Sequence, residues 1–459
     1  METLIKQDVT AVFDIGKTNK KFFLFDSNFS VVHKEYIRLE ETVDQDGFPT
    51  ENLEALEKWI RSVFEKCLES NKYVIRGLNF STYGASLVHL DKNGKPLTPL
   101  YNYLKPIPKD IIDKFENTHG DVSVETCAAQ SGMLNSGMQL YWLKYTQPTV
   151  FGKIKYTLHL PQYLSYLFTQ VPVSEYTSIG CHTALWDFEN QNYHSWVIKE
   201  RIDKLLPPIV TAETAISIRF KENLIKVGVG VHDSSSALIP YIKSSKKPFI
   251  LVSTGTWSVS MNPYLMSVLT EEDIKNQTVN YMKTNGDFVK SAKFLLGKEY
   301  KFQIGQLSHF FNVPETFHKT VKFNAEIFQK LSADQTNCFS WKYLLDSNMP
   351  KKTTIKHVGF TEAYHQLMIE LVKLQVENIK VAKGHSPKIK QLFVDGGFSD
   401  NDVFINLLTH HFKDLKVKST KSSFGSALGA CIVLTGQTLG PKFLSKKYAL
   451  KKHIPFNLN

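Results

Sequence analysis

The chain has 459 residues, of which 42% are hydrophobic, 12% aromatic and 22% charged, a composition that supports buried cores and excludes collagen-like, disordered and low-complexity classes. Its formal charge of +11 comes from 55 basic against 44 acidic residues, with arginine only at Arg38, Arg61, Arg76, Arg201 and Arg219. An excess built from scattered lysine speaks against nucleic-acid binding, which favours arginine and clustered basic patches.

The length predicts two domains, and the chain opens on one of them with no basic-then-apolar leader pattern. An apolar strand ending at Asp14 turns through Lys17–Asn19 and returns as a strand ending at Asp26, followed by a third from about Phe29. Asp14-Ile-Gly-Lys-Thr-Asn-Lys-Lys21 combines a carboxylate at a strand end, a glycine whose backbone admits phosphate oxygens, small donors and three lysines. That set suits nucleotide phosphates, with Asp14 holding Mg²⁺ through water; it lacks P-loop spacing. Residues 51–70 place Leu53, Leu56, Trp59, Ile60, Val63, Phe64 and Cys67 on one helical face. A buried strand over 73–81 then leads to Asn93-Gly94, a hairpin turn signal.

Helices are expected around 139–145, 161–167 and 195–203, and Pro207-Pro208 marks a break. Gly230-Val-His-Asp-Ser-Ser-Ser236 sets Asp233 among hydroxyls, as a proton acceptor for an alcohol or equally as a helix N-cap. The polar stretch 243–248 is the expected domain boundary, giving units 1–243 and 244–459. The second unit opens as the first does: strand, the turn Ser253-Thr254-Gly255-Thr256, strand. A long helix over 361–383, a strand, the turn Asp395-Gly396-Gly397-Phe398-Ser399-Asp400-Asn401 and a helix to about Phe412 follow. Paired glycines there let a flat ligand lie against backbone beside a helix N-terminus. A short strand and an apolar helix from Phe424 to about Leu434 end the pattern.

Taken together, these motifs resemble the FGGY carbohydrate kinases of the sugar kinase, hexokinase and actin superfamily, over almost the whole chain. Asp14, Gly16, Thr18, Asn19 and Lys21 match that family's first phosphate motif, Ser253, Thr254, Gly255 and Thr256 its second, and Gly396, Gly397 and Asn401 its adenosine motif. Asp233 stands where the family carries its catalytic base, and 135–148 and 171–190 resemble its sugar-domain segments. The segments around Asp233 and Gly255 are most similar to the rhamnulokinase and fuculokinase branch. The resemblance implies two actin-like, ribonuclease H-like α/β domains around a central cleft, with a ketose bound to the first and ATP with Mg²⁺ to the second. It implies phosphorylation of a sugar hydroxyl with Asp233 as general base, Asp14 toward the metal, and Tyr83, Ser86, Gln139, Gln162 and His232 toward the sugar. Trp142 and Trp257 are stacking candidates, with core packing the stronger expectation.

The sequence departs from the pattern at Lys17, usually Thr or Ala, and at Ser86 and Gln162, where that branch commonly has Asp. The rival reading is a catalytically silent nucleotide-binding regulator on the same fold. The five scattered cysteines, Cys67, Cys127, Cys181, Cys338 and Cys431, form no C-x-x-C pair and suit a reduced protein without disulfides or zinc. Apolar runs far shorter than the roughly 20 residues of a membrane helix complete the expectation of a cytoplasmic enzyme, with a homodimer open.

Overall fold

The computed structural model describes residues 6–220, 223–334, 336–344, 349–386, 388–421 and 424–456. Strands β1 (Gln7–Ile15), β2 (Lys20–Asp26) and β3 (Val31–Ile37) form an antiparallel meander. β1 is buried along most of its length because sheet neighbours flank it on both sides and its residues alternate between two packed faces. Helix α1 (Leu53–Leu68) starts where the Asn52 side chain accepts from the Ala55 N–H at 3.0 Å. It buries Leu56, Ile60, Val63, Phe64 and Cys67, the face that the 3.6-residue spacing predicts. The chain returns as β4 (Tyr73–Thr82), parallel to β1, the ordinary result of a helical crossover.

Helices α2 (Lys109–His119), α3 (Ser136–Thr146) and α4 (Leu160–Thr169) follow. β5 (Ala215–Phe220) and β6 (Asn223–Gly228) extend the sheet to the order β5–β6–β4–β1–β2–β3, and the short β7 (Val231–His232) also pairs with β4. Two local expectations change. Asn93-Gly94 does make a turn, closed by hydrogen bonds between Asp91 and Lys95 and from Gly94 N–H to Asp91, but the strand before it, Leu87–Leu90, pairs mainly with Tyr156–His159. The helix expected over 195–203 ends at Lys199; Arg201 at φ +57° breaks it before a 3₁₀ turn, Ile202–Leu205.

Helix α5 (Asp233–Ser244) leads into the second sheet. Its strands are β8 (Phe249–Thr254), β9 (Ser258–Asn262), β10 (Thr278–Met282) and β11 (Phe288–Phe294). After α6 (Leu296–Phe310) and the long α7 (Phe360–Lys383) come β12 (Gln391–Gly396), α8 (Asp402–His411), β13 (Lys416–Ser419), α9 (Gly425–Thr435) and β14 (Lys451–Lys452). The order is β10–β11–β9–β8–β12–β13–β14. β8 has an antiparallel neighbour in β9 and a parallel one in β12, as β1 has in β2 and β4. The two halves therefore repeat one plan, and the turn after the central strand falls at the same place in each.

Between the sheets α5 and α9 cross so closely that a Cβ on Gly429 would collide with the Ser236 carbonyl. Around this crossing lies a core shared by both halves: Val12, Phe23 and Phe25 from the first sheet, Leu251, Met261 and Phe393 from the second, and Leu238, Leu428 and Ile432 from the helices. Among the described residues no helix is long and apolar enough to cross a membrane, and all five cysteines are buried and free.

Candidate active site

Asp14 lies near the end of β1, opposite Lys21 of β2 and Ser81 of β4 in the sheet register. Ser426, at the start of α9, donates its hydroxyl to Asp14 Oδ1 at 2.7 Å, and Lys21 Nζ lies 3.6 Å from Oδ2. Burial raises the pKa of this carboxyl; Lys21, Ser426 and Ser81 oppose the rise, and the charge of Asp233 adds to it. Asp233 opens α5 because β7, pairing with β4 beside Ser81 and Thr82, delivers it there. Its side chain stays 34% exposed. Burial pushes its carboxyl up to about 6, opposed by Ser234 and the charge of Lys21. The two carboxylates thus share a lysine and sense one another.

His232, just before Asp233, is buried and held neutral, its pKa lowered to about 3. Its Nε2 lies 3.2 Å from Asp233 Oδ1 and 3.1 Å from Cys181 Sγ, which is 3.3 Å from His182 Nε2. Since His182 Nδ1 donates to the Leu134 carbonyl at 3.0 Å, its Nε2 is an acceptor. A thiol donating to it and His232 Nε2–H donating to Asp233 satisfy the chain, so His232 orients the aspartate. The Tyr281 ring packs edge-on against His232 at 5.3 Å.

On the opposite wall Tyr83 donates its hydroxyl to Glu51 at 2.7 Å, and Glu51 pairs with the buried Lys20. Tyr103, 6.1 Å from the Tyr83 ring, is near enough that Asp233 and Glu51 raise its pKa after burial has done so. Ser86 is buried beside Tyr83. Gln139 gives its NH₂ to the Ala85 and Met133 carbonyls, each at 2.6 Å, and Gln162 gives its own to Val229 and Gly230 at 3.2 and 3.0 Å. Both amides therefore tie wall segments together, while their Oε1 atoms are buried without a partner among the described residues. Trp142 is buried against Tyr101, ring centroids 5.0 Å apart, and is core; Trp257 is 40% exposed.

In the first turn Lys17 pairs with Glu41 at 3.1 Å and Asn19 accepts from Arg38 Nε at 3.0 Å, so these two side chains are tied to the segment after β3; Thr18 is exposed. The second turn, Ser253–Thr256, is braced against the third: Thr254 Oγ1 donates to the Asp395 carbonyl at 2.6 Å and accepts from Phe398 N–H, and Gly397 N–H donates to the Thr254 carbonyl at 2.7 Å. Gly396 has φ +88°, and a Cβ there would strike that same carbonyl. A Cβ on Gly255 would meet only the Trp257 carbonyl, at an ordinary contact distance of 3.8 Å, whereas a Cβ on Gly297 would collide with the Gly255 carbonyl. Beside the third turn a cavity of about 350 Å³ is lined by Tyr300, His318, Tyr364, Gly397, Phe398 and Asn401 among others. Asn401 caps α8 through Phe404 N–H and donates to the Tyr364 hydroxyl at 2.8 Å, which fixes one wall of this cavity.

Residues 9–238 match the model of the N-terminal domain of the FGGY family of carbohydrate kinases. The chain belongs to that family. Among FGGY relatives it is 25% identical over 261 residues to a rhamnulokinase of Halalkalibacterium halodurans, covering 54% of each chain, and 23% identical over 277 residues to an L-fuculokinase of Salmonella typhi, covering 56% and 57%. It spans about half the length of the curated relatives it matches. The FGGY fold continues beyond that half. A carbohydrate kinase from Novosphingobium aromaticivorans superposes with a TM-score of 0.78 over 99% of this chain and 95% of its own at 19% identity. A xylulose kinase from Rhodospirillum rubrum reaches 0.79 over 98% and 94% at 13%.

Sequence reasoning missed Glu51, Tyr103, Cys181, His182, Tyr281, Gly297 and Ser426, all of which the fold brings to the cleft or its turns. Of these, Cys181, His182 and Ser426 lay inside segments already marked by family resemblance, 171–190 and 424–434.

Proposed function

We propose that the protein is an ATP-dependent kinase that moves the γ-phosphoryl group to a hydroxyl of a sugar of the ketose class acted on by rhamnulokinases, fuculokinases and xylulose kinases. The observation that carries this reading is Asp233, a half-open carboxylate with its pKa raised to about 6, set beside Asp14 and Lys21 in a member of a carbohydrate kinase family. Such a group is ionised at neutral pH yet a far better proton acceptor than an ordinary aspartate. Asp233 takes the proton of the attacking hydroxyl, with His232 orienting it.

The adenine occupies the cavity beside Gly397, against the wall that Tyr300 and Tyr364 form with their hydroxyls hydrogen-bonded at 3.0 Å, and the phosphates run toward the N–H groups of the Gly16 and Gly255 turns. Those donors and the Lys21 charge supply the electrostatic stabilisation that phosphoryl transfer mostly needs. Asp14 fits Mg²⁺: magnesium keeps several waters and takes one or two carboxylates plus phosphate oxygens, and among the described residues no cluster of three metal-ligating side chains competes for it. When bound, the ion neutralises phosphate charge. The acceptor lies against Tyr83, Tyr103, His232 and the free Oε1 atoms of Gln139 and Gln162.

The test is ADP release from Mg-ATP with a panel including L-rhamnulose, L-fuculose, D-xylulose and D-ribulose, for the wild type and Asp233→Asn. The expected result is sugar-dependent release that falls about 10²- to 10⁴-fold in the variant while ATP affinity holds. ATP binding with no release for any acceptor would replace the kinase with a silent nucleotide-binding regulator.

A further inference from the structure

Packing fixes where the His232 ring lies. Its backbone N–H donates to Thr177 Oγ1 at 2.9 Å, the Tyr281 ring closes one edge, and Gly84 presses on the neighbouring thiol so closely that a Cβ there would strike Cys181 Sγ. Packing does not fix which ring nitrogen carries the proton, and a neutral imidazole can carry it on either. Nδ1 has Ser235 Oγ at 3.5 Å, a hydroxyl that donates or accepts. At Nε2 the Asp233 carboxylate, 3.2 Å away, favours a hydrogen on the ring, but that distance is the long limit of an N–H···O bond, about 2.7–3.2 Å. The Cys181 thiol is nearer, 3.1 Å from the same nitrogen, and it can act either way. As a donor it would force the proton to Nδ1; as an acceptor it would hold it on Nε2.

His182 decides between the two. Its Nδ1 faces the Leu134 carbonyl at 3.0 Å and must donate there, so its Nε2 is a bare lone pair 3.3 Å from Cys181 Sγ. Burial, helped by the charge of Lys293, holds His182 far below the ordinary histidine pKa, and burial keeps the Cys181 thiol protonated. The single thiol hydrogen is then committed to His182, and Sγ is left to accept from His232 Nε2–H. Ser234 Oγ lies 3.2 Å from Asp233 Oδ1, the oxygen that His232 also faces. We infer that His182 is a positioning residue for the base: by taking the thiol hydrogen of Cys181 it keeps His232 a donor to Asp233 Oδ1, which leaves Oδ2 as the oxygen for the acceptor's proton. The role assigned to Oδ2 rests on the reading of the cleft as a phosphoryl-transfer site; the hydrogen-bond chain behind it does not.

The experiment pairs a spectroscopic readout with turnover. In protein labelled with 15N-histidine the protonated and bare ring nitrogens resonate apart, and the His232 signals are identified by their loss in His232→Asn. Wild type should carry the proton on Nε2. In His182→Phe the freed thiol hydrogen competes for that nitrogen, so a measurable share of His232 should move its proton to Nδ1. The same variant should lose about 3- to 10-fold in kcat, the scale of one neutral hydrogen bond, with the KM for ATP unchanged. Taking the thiol away as well removes the competitor: His182→Phe combined with Cys181→Ala should return the proton to Nε2 and recover part of kcat, a non-additive result that a merely structural role would not produce. His182→Gln, whose amide can donate to Leu134 and accept from Cys181, should keep the wild-type tautomer. A proton that stays on Nε2 in His182→Phe would overturn the inference, leaving the tautomer to the Asp233 carboxylate alone. Equal losses of kcat in His182→Phe and in the double variant would overturn it too. The expected tautomers in a protein that releases ADP with no sugar would uphold the chain and remove the kinase.

Discussion

At the scale of single residues, the cleft depends on how burial moves a proton. Asp233 has its folded pKa near 6 and an ordinary value of 3.8. In the free enzyme kcat/KM should therefore rise with pH and level off above a midpoint near 6, as the carboxylate needed for proton abstraction forms; an acid limb near 4, measured with saturating Mg-ATP, would detach Asp233 from proton transfer. The same shift carries a stability consequence with a fixed sign. Between about pH 4 and 6 the unfolded chain has released this proton and the folded one has not, so folding loses free energy as pH rises through that window and regains none above it. Asp233→Asn should match the wild type in thermal stability at pH 4 and exceed it at pH 7, by about 1–2 kcal/mol once screening on the exposed third of the side chain is allowed for. A variant less stable than wild type at pH 7 would mean that the carboxylate holds the start of α5 together. Asp233 stood out in the sequence by the hydroxyls and glycine around it, but those neighbours suited a helix N-cap equally well and only the family resemblance pointed to a base there. Glu51 and Tyr103 did not stand out, because each reaches the cleft from its own distant segment, and nothing in the neighbouring residues marks a side chain that becomes functional only through tertiary approach.

At the scale of elements, strand–turn–strand units were readable from apolar runs and their punctuating glycines, and α1 and α7 from their 3.6-residue spacing. The reasons for particular glycines were not readable, since they depend on what packs against them. Gly255 looks like the indispensable member of Ser253-Thr-Gly-Thr256, yet a side chain has room there; the crowded partner is Gly297 at the start of α6, pressed on the Gly255 carbonyl. Gly255→Ala should fold with nearly unchanged thermal stability, so any loss of ATP affinity in it reports backbone contact with phosphate. Gly297→Ala must displace either α6 or the turn, an overpacking cost of about 1–3 kcal/mol, and should weaken stability and ATP affinity together. Equal stability of the two variants would show that α6 yields freely and that the turn is not clamped. The helix expected over 195–203 failed for a related reason: Arg201 takes a left-handed conformation between two short helical pieces, and nothing in that local apolar spacing marks such a break.

At the scale of the whole molecule, the duplicated plan was visible in the two opening hairpins, but not the way the halves are joined. Near the end of each half a helix crosses the other, α5 against α9 at Ser236 and Gly429, and contacts bridge the crossing: Ser236 donates to the Ser426 carbonyl, Asn79 to Ala430, and Tyr241 to Asp395. The central core is continuous through this point, so the halves cannot slide apart without exposing it; what remains is rotation about the crossing. Asp14 and Lys21 stand on one side of the cleft, the Gly255 and Gly397 turns on the other, and Tyr281 reaches from the second half to His232 on the first. A nucleotide and an acceptor bound together would draw these walls inward and exclude water that would otherwise take the phosphoryl group. The radius of gyration, about 23 Å for a compact chain of 459 residues, should therefore fall in solution scattering when a non-hydrolysable ATP analogue and the acceptor are both present. It should fall less with either alone, because each wall then lacks its ligand. Asp233→Asn should close as the wild type does, since the carboxylate acts in chemistry rather than in bridging the halves. Scattering unchanged by both ligands, with saturation confirmed by calorimetry, would show the halves locked as one body and leave water exclusion to the static walls.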